Sequence, residues 1–138
     1  MDYKKTLEDI NKVILELKDE NKKIPIIVEG EKDINALHKL EIKGIIITFN
    51  SGNSISDFCD RIAKEYEEII ILTDWDKKGG FLCRKIFENL KGRVKCNTYY
   101  REIFSKFTMI KTVEGLPSWI STMSEKNRIK MNNKLGDV

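Results

Sequence analysis

The sequence predicts an α/β protein: a three-layer α/β/α sandwich around a four-stranded, mostly parallel sheet, preceded by an N-terminal amphipathic helix. Three observations carry this expectation. Strand-like and helix-like segments alternate with short connections, the order of successive βαβ units. The aliphatic runs are continuous rather than alternating, as strands covered on both faces require, and right-handed crossovers then place helices on both sides of the sheet. Acidic residues close two of those runs, Ile26-Ile27-Val28-Glu29 and Ile69-Ile70-Ile71-Leu72-Thr73-Asp74-Trp75-Asp76. Open α/β sheets build their sites at that edge of the strands.

Leu7, Ile10, Val13, Ile14 and Leu17 recur at helical spacing, so residues 4–21 are expected to form the amphipathic leading helix. Ile24 to Val28 is the first strand. Glu31 to Leu40 follows as a short helix with Ile34 and Leu37 on its apolar side, and Gly44 opens the second strand, Ile45 to Phe49. Asn50-Ser51-Gly52-Asn53-Ser54 carries loop and helix-cap chemistry. The next helix bears Ile55, Phe58, Cys59, Ile62, Ala63 and Tyr66, and Ile69 to Thr73 is the third strand.

Lys77-Lys78-Gly79-Gly80 turns the chain into a further helix, with Leu82, Ile86, Phe87 and Leu90 at core spacing and Gly92 at its end. Arg93 to Tyr99 fits a fourth strand and residues 101–107 a helix. Residues 113–117 are expected to turn, and 118–123 to form a last short helix. The whole reads as a single domain over residues 1–123, with its core at 24–100. Residues 124–138 are polar enough for a frayed, flexible C-terminal tail.

Composition bounds the function. A chain of 138 residues encloses one ordinary core, and 41% hydrophobic with 34% charged residues is a soluble globular balance. No apolar run approaches the roughly 20 residues of a spanning helix, so no membrane partner is expected. The charged N-terminus carries no export signal, and a cytoplasmic location follows as the default.

Cys59, Cys83 and Cys96 are isolated and odd in number, which argues for reduced, mostly buried thiols rather than a zinc knuckle or a disulfide framework. His38 is the single histidine, so a site needing two imidazoles is excluded, and its place beside Leu37 and Leu40 suits a structural role. Net charge is +3, yet it is divided: residues 1–76 hold 11 Lys or Arg against 17 Asp or Glu, and residues 77–138 hold 14 against 5. An acidic half that can hold a cation, followed by a basic half, suits a polyphosphate backbone. Solvated surface lysines, 20 of the 25 cations, explain the charge equally well.

Glu29, Asp74 and Asp76 meet at one edge if the first and third strands are neighbours and the second lies outside the first. Three carboxylates there suit Mg²⁺, which takes hard oxygen ligands and commonly binds one or two carboxylates plus water and phosphate.

Val28-Glu29-Gly30-Glu31-Lys32-Asp33 after the first strand, Thr48 with Gly52 after the second, and Thr73-Asp74-Trp75-Asp76 with Gly79 or Gly80 after the third resemble the Toprim domain. That Rossmann-like module is shared by type IA and type II topoisomerases, bacterial-type primases and small nucleases such as the 5S ribosomal RNA maturation enzyme. The resemblance covers residues 24–100. It implies that Glu29 is the catalytic glutamate, as general acid or base or as an additional metal ligand, and that Asp74 and Asp76 hold Mg²⁺, with Mn²⁺ an alternative.

Gly30, Gly52, Gly79 and Gly80 would let backbone approach phosphate. Lys77 and Lys78 either meet phosphates or are solvated. Asp33 either belongs to the site or favours the start of its helix. Trp75 stands where many members carry proline or a small residue; it is either a stacking platform for an unpaired base or a packing residue.

Tyr3, Tyr66, Tyr99 and Tyr100 lack the setting of a topoisomerase nucleophile, and the zinc and polymerase lobes of a primase have no counterpart. A haloacid-dehalogenase-like phosphatase would need its D-x-D on the first strand, and a response-regulator receiver would need a fifth strand bearing Lys. The expectation is therefore Mg²⁺-dependent phosphodiester chemistry on RNA or DNA by a small Toprim nuclease. A non-catalytic module binding nucleic acid or a protein partner is the alternative, and a homodimer or a larger RNA-processing complex is the assembly considered.

Overall fold

In the computed structural model, which describes residues 2–50, 52 and 54–136, the chain runs α1 (Tyr3–Asn21), β1 (Ile26–Val28), α2 (Glu31–Lys39), β2 (Ile46–Thr48), α3 (Ile55–Glu65), β3 (Glu68–Ile71), α4 (Lys77–Leu90), β4 (Lys95–Asn97), α5 (Tyr99–Phe107) and α6 (Leu116–Gly136). All strand pairs are parallel and the order is β2-β1-β3-β4, with β1 and β3 adjacent and β2 outside β1. The order reverses between β1 and β3, which sets a crevice at their carboxyl ends.

Period-two geometry sorts each aliphatic run between two cores. Ile26, Val28, Ile70 and Leu72 face one side, with Leu17 of α1, Leu37 of α2, Phe104 of α5 and Trp119 of α6. Ile27, Ile69 and Ile71 face the other, with Phe58 and Ile62 of α3 and Ile86 and Leu90 of α4. The sheet is thus covered on both faces, as its continuous apolar runs demand.

A buried amide fixes how α1 enters the sheet. Asn21, at the C-terminal end of α1, donates to the carbonyls of Ile24 and Ile45, both at 3.0 Å, and accepts from the Gly44 amide at 2.8 Å. These bonds tie the approaches to β1 and β2 together and satisfy polar groups that would be costly to bury unpaired. Gly44 has no room for a side chain, because a Cβ there would fall on Asn21.

Three expectations are corrected. Phe87 was placed in the core, but it is 41% exposed: Cys83, Ile86 and Leu90 form the buried stripe of α4 and Phe87 falls on its flank. The segment from Ser124 is helical to Gly136 and continues α6 rather than forming a frayed tail; residues 137 and 138 lie outside the described residues. Pro117 sits in the first turn of α6, where its missing N–H costs nothing, and not in a separate turn. Beyond Met123 the polar run carries Glu125, Lys126, Arg128, Lys130, Met131 and Lys134, good helix formers, among its three asparagines. It also docks locally, with the Lys126 ammonium 5.2 Å from the centre of the Tyr3 ring on α1 and an Arg128–Glu125 pair along the helix. Of the expected loop over 50–54, residues 51 and 53 lie outside the described residues.

Candidate active site

The site begins where β1 and β3 stop. Leu72 donates to the Ile27 carbonyl at 2.8 Å, and two residues later the pairing passes from backbone to side chain: the Asp74 amide donates to Glu29 Oε2 at 2.8 Å. The two acidic loops are therefore in direct contact. Gly30, in extended backbone, is the N-cap of α2; its amide donates to Asp33 Oδ2 at 3.1 Å and its carbonyl accepts from the Asp33 amide at 3.1 Å. Asp33 thus caps its own helix, and burial pushes its carboxyl above the usual range.

Asp76 is the N-cap of α4, its Oδ1 accepting from the Gly79 amide at 2.7 Å. Lys77 to Gly80 form the first turn of that helix rather than a loop before it. Thr73 donates through its hydroxyl to the Gly79 carbonyl at 2.8 Å, which pins the last residues of β3's run to the same turn. Gly79 is buried, and a Cβ there would overlap the Asp74 carbonyl. Its missing side chain serves the chain's own close approach to Asp74.

Asp74 is held on three sides. Its Oδ1 accepts from the Val113 amide at 2.9 Å, and its carbonyl accepts from Arg101 Nη2 at 2.9 Å and Nε at 3.2 Å. Burial, followed by the nearby charges of Asp33, Glu29 and Asp76, pushes its carboxyl up to about 7, against the lowering effect of the Val113 bond. Three other acidic groups are therefore close enough to raise the cost of ionising Asp74.

Of the two roles open to Trp75, its surroundings match packing. It is 6% exposed, lies against Phe104 with ring centres 5.7 Å apart, and donates its indole N–H to the Ile110 carbonyl at 2.6 Å. Its amide also donates to the Lys111 carbonyl at 2.9 Å. Lys77 and Lys78 are exposed, as is Gly52, which lies in a turn. Gly30 has open space where a Cβ would project. Lys78 lines a cleft of about 360 Å³ with Glu29, Phe49, Asn50, Phe81 and Leu82, on the α4 side of the acidic loops.

The family profile described as the Toprim domain matches residues 24–107, spanning all four strands and the acidic loops. The chain belongs to the Toprim family. Its Toprim fold is the Rossmann-like parallel sheet described above, and such domains generally bind Mg²⁺ and carry a metal-dependent, nucleic-acid-related function. The chain is 45% identical over 107 residues to the UPF0292 protein of Thermoplasma volcanium, covering 77% of this chain and 90% of that one. It is 36% identical over 138 residues to the UPF0292 protein of Methanosarcina acetivorans, covering 96% and 94%. A solved structure described as a putative protein from Aquifex aeolicus aligns with TM-score 0.65 at 31% identity, over 75% of this chain and 94% of that one.

The Toprim donor set suits Mg²⁺ in kind: hard carboxylate oxygens whose mutual repulsion, visible in Asp74, a divalent cation would relieve. It is not assembled in position. Among the described residues, no three Asp, Glu, His or Cys side chains are grouped to hold one ion. One oxygen of each of Glu29, Asp74 and Asp76 accepts from a backbone amide, which turns the carboxylates onto the protein's own loops. Arg101 and Val113 were not singled out from the sequence. Arg101 follows the fourth strand, at the same sheet edge as the acids, and that position was its only signal; an amide such as that of Val113 leaves none.

Proposed function

We propose that the protein is a Mg²⁺-dependent Toprim nuclease, acting on RNA or DNA in RNA processing or DNA repair, with Mn²⁺ able to replace Mg²⁺. The observation that carries this reading is the contact between the β1 and β3 loops, which joins Glu29 to Asp74 and sets Asp74 among like charges. Asp74 and Asp76 would hold the ion. Bound there, Mg²⁺ supplies charge neutralisation for the phosphoryl oxygens. Glu29 keeps Oε2 on the Asp74 amide, which orients Oε1 for taking or giving a proton at the attacking or leaving oxygen. Exposed Lys77 and Lys78 supply positive charge beside the acids for the phosphate backbone.

A second reading, a non-catalytic module that binds nucleic acid or a protein partner in an RNA-processing or replication assembly, is favoured by one observation: one oxygen of each of the three carboxylates is taken by a backbone amide. Either reading accommodates a homodimer or a larger RNA-processing complex. No helix among the described residues is long and apolar enough to cross a membrane.

The two readings part on purified protein incubated with Mg²⁺ or Mn²⁺ and a panel of structured RNAs and single- and double-stranded DNAs. Cleavage that falls by roughly 10²-fold or more in Glu29→Gln and in Asp74→Asn is expected. Full cleavage by both variants would make the assigned roles wrong. Steeply salt-dependent binding without any cleavage would establish the second reading instead.

A further inference from the structure

We infer that Phe81 is a stacking platform for an unpaired nucleobase, so that the nucleic acid entering this site is a single strand. This inference rests on the reading of the protein as one that binds nucleic acid. Phe81 is on the second turn of α4, whose N-cap is the acidic-loop residue Asp76, and it is 51% exposed although it is a large aromatic. It lines the same cleft as Glu29, and that cleft, at about 360 Å³, falls in the size range of small-ligand pockets.

Positive charge surrounds the ring. The Arg84 guanidinium lies 5.7 Å and the Lys85 ammonium 5.4 Å from the centre of the Phe81 ring, and Lys78 lines the cleft beside it. An exposed ring flanked by cations is the combination that binds single strands, the ring taking the base and the cations the phosphates on either side. A duplex offers no base face to such a ring. The role in question is one of the two the sequence allows for Trp75, which is buried and hydrogen-bonded; Phe81 presents a half-exposed ring six residues further on.

The test measures, by fluorescence anisotropy in EDTA so that no cleavage occurs, the affinity of the full chain for oligonucleotides of about 12 nucleotides, a length within the span of one such site. The probes are oligo(rU), oligo(dT), an abasic strand with the same backbone, and a duplex. Wild type is expected to bind the base-bearing strands roughly five- to hundredfold more tightly than the abasic strand, the worth of one base stack. Phe81→Ala is expected to lose that discrimination while keeping its affinity for the abasic strand, and Phe81→Trp to retain it. Comparison of the rU and dT arms assigns the strand as RNA or DNA. Equal binding of base-bearing and abasic strands by wild type, preference for the duplex, or undiminished discrimination in Phe81→Ala overturns the inference while leaving nucleic-acid binding intact. Absence of binding to any probe overturns the reading on which it rests as well.

Discussion

Replacing Asp74 by asparagine is expected to stabilise the metal-free protein at pH 8 while removing its function. The carboxyl titrates near 7 in the folded chain against about 3.8 in an ordinary setting, so the native state holds this proton more tightly than the unfolded state does. Stability linked to Asp74 is therefore unaffected below about pH 3.8, declines as pH rises, and reaches its full deficit above pH 7. Asparagine accepts the Val113 amide bond as aspartate does but never ionises.

Asp74 is half-buried, and solvent screening limits the gain to about 1–2 kcal/mol, or about 4–8 °C in Tm. Thermal melts of wild type and Asp74→Asn in EDTA from pH 5 to 8 should separate progressively as pH rises. Added Mg²⁺ should then raise the Tm of wild type and leave the variant unmoved, because a cation stabilises only the state that binds it. Parallel melts at every pH would mean that neither burial nor repulsion raises this carboxyl.

Gly79→Ala is expected to be the most damaging single methyl in the site. An alanine in mid-helix is ordinarily favourable by up to about 1 kcal/mol. Here the added Cβ meets the backbone carbonyl of Asp74, which cannot swing away as a side-chain tip would, since Arg101 and the Thr73–Gly79 bond hold that turn. The α4 N-terminus must shift, at a net cost of roughly 2–3 kcal/mol and a Tm fall on the order of 10 °C.

Gly80→Ala is the matched control. Its Cβ would come within 3.3 Å of Arg101 Nη2, a side-chain nitrogen that must give by a few tenths of an ångström rather than a backbone carbonyl, so a smaller loss than at Gly79 is expected. Chemical denaturation of both variants decides the matter. Equal stability of Gly79→Ala and wild type would show that the close approach to Asp74 is not required.

The contrast between these adjacent glycines shows where sequence reading stops. Glycines at 79 and 80 look alike in a Lys-Lys-Gly-Gly string, and only the fold distinguishes the one pressed on Asp74 from the one facing Arg101. The sheet was legible because Ile26–Val28 and Ile69–Leu72 are uninterrupted and end in acids, a pattern that requires two covered faces and one functional edge. Trp75 was not legible: between two aspartates an indole suits either a wet platform or a core. The outcome depended on Phe104 and on the Ile110 carbonyl, both more than twenty-five residues away in sequence.

The polarity of the second half of α6 predicts a frayed end, yet the segment is helical to Gly136. Its helical propensity and its contact with Tyr3 on α1 act in the opposite direction. The Val113 amide on Asp74 had no sequence signature, yet it and Arg101 bring the segment after β4 into the site. The acidic cluster is thus built by more of the chain than its motifs mark.

The central claim is that this cluster is a divalent-cation site, and titration of the protein with Mn²⁺ under electron paramagnetic resonance tests it most directly. Wild type is expected to deplete the free Mn²⁺ signal saturably, with Mg²⁺ competing and with affinity at least about tenfold weaker in Asp74→Asn. Undiminished free Mn²⁺ signal with wild type, or equal uptake by the variant, would contradict it.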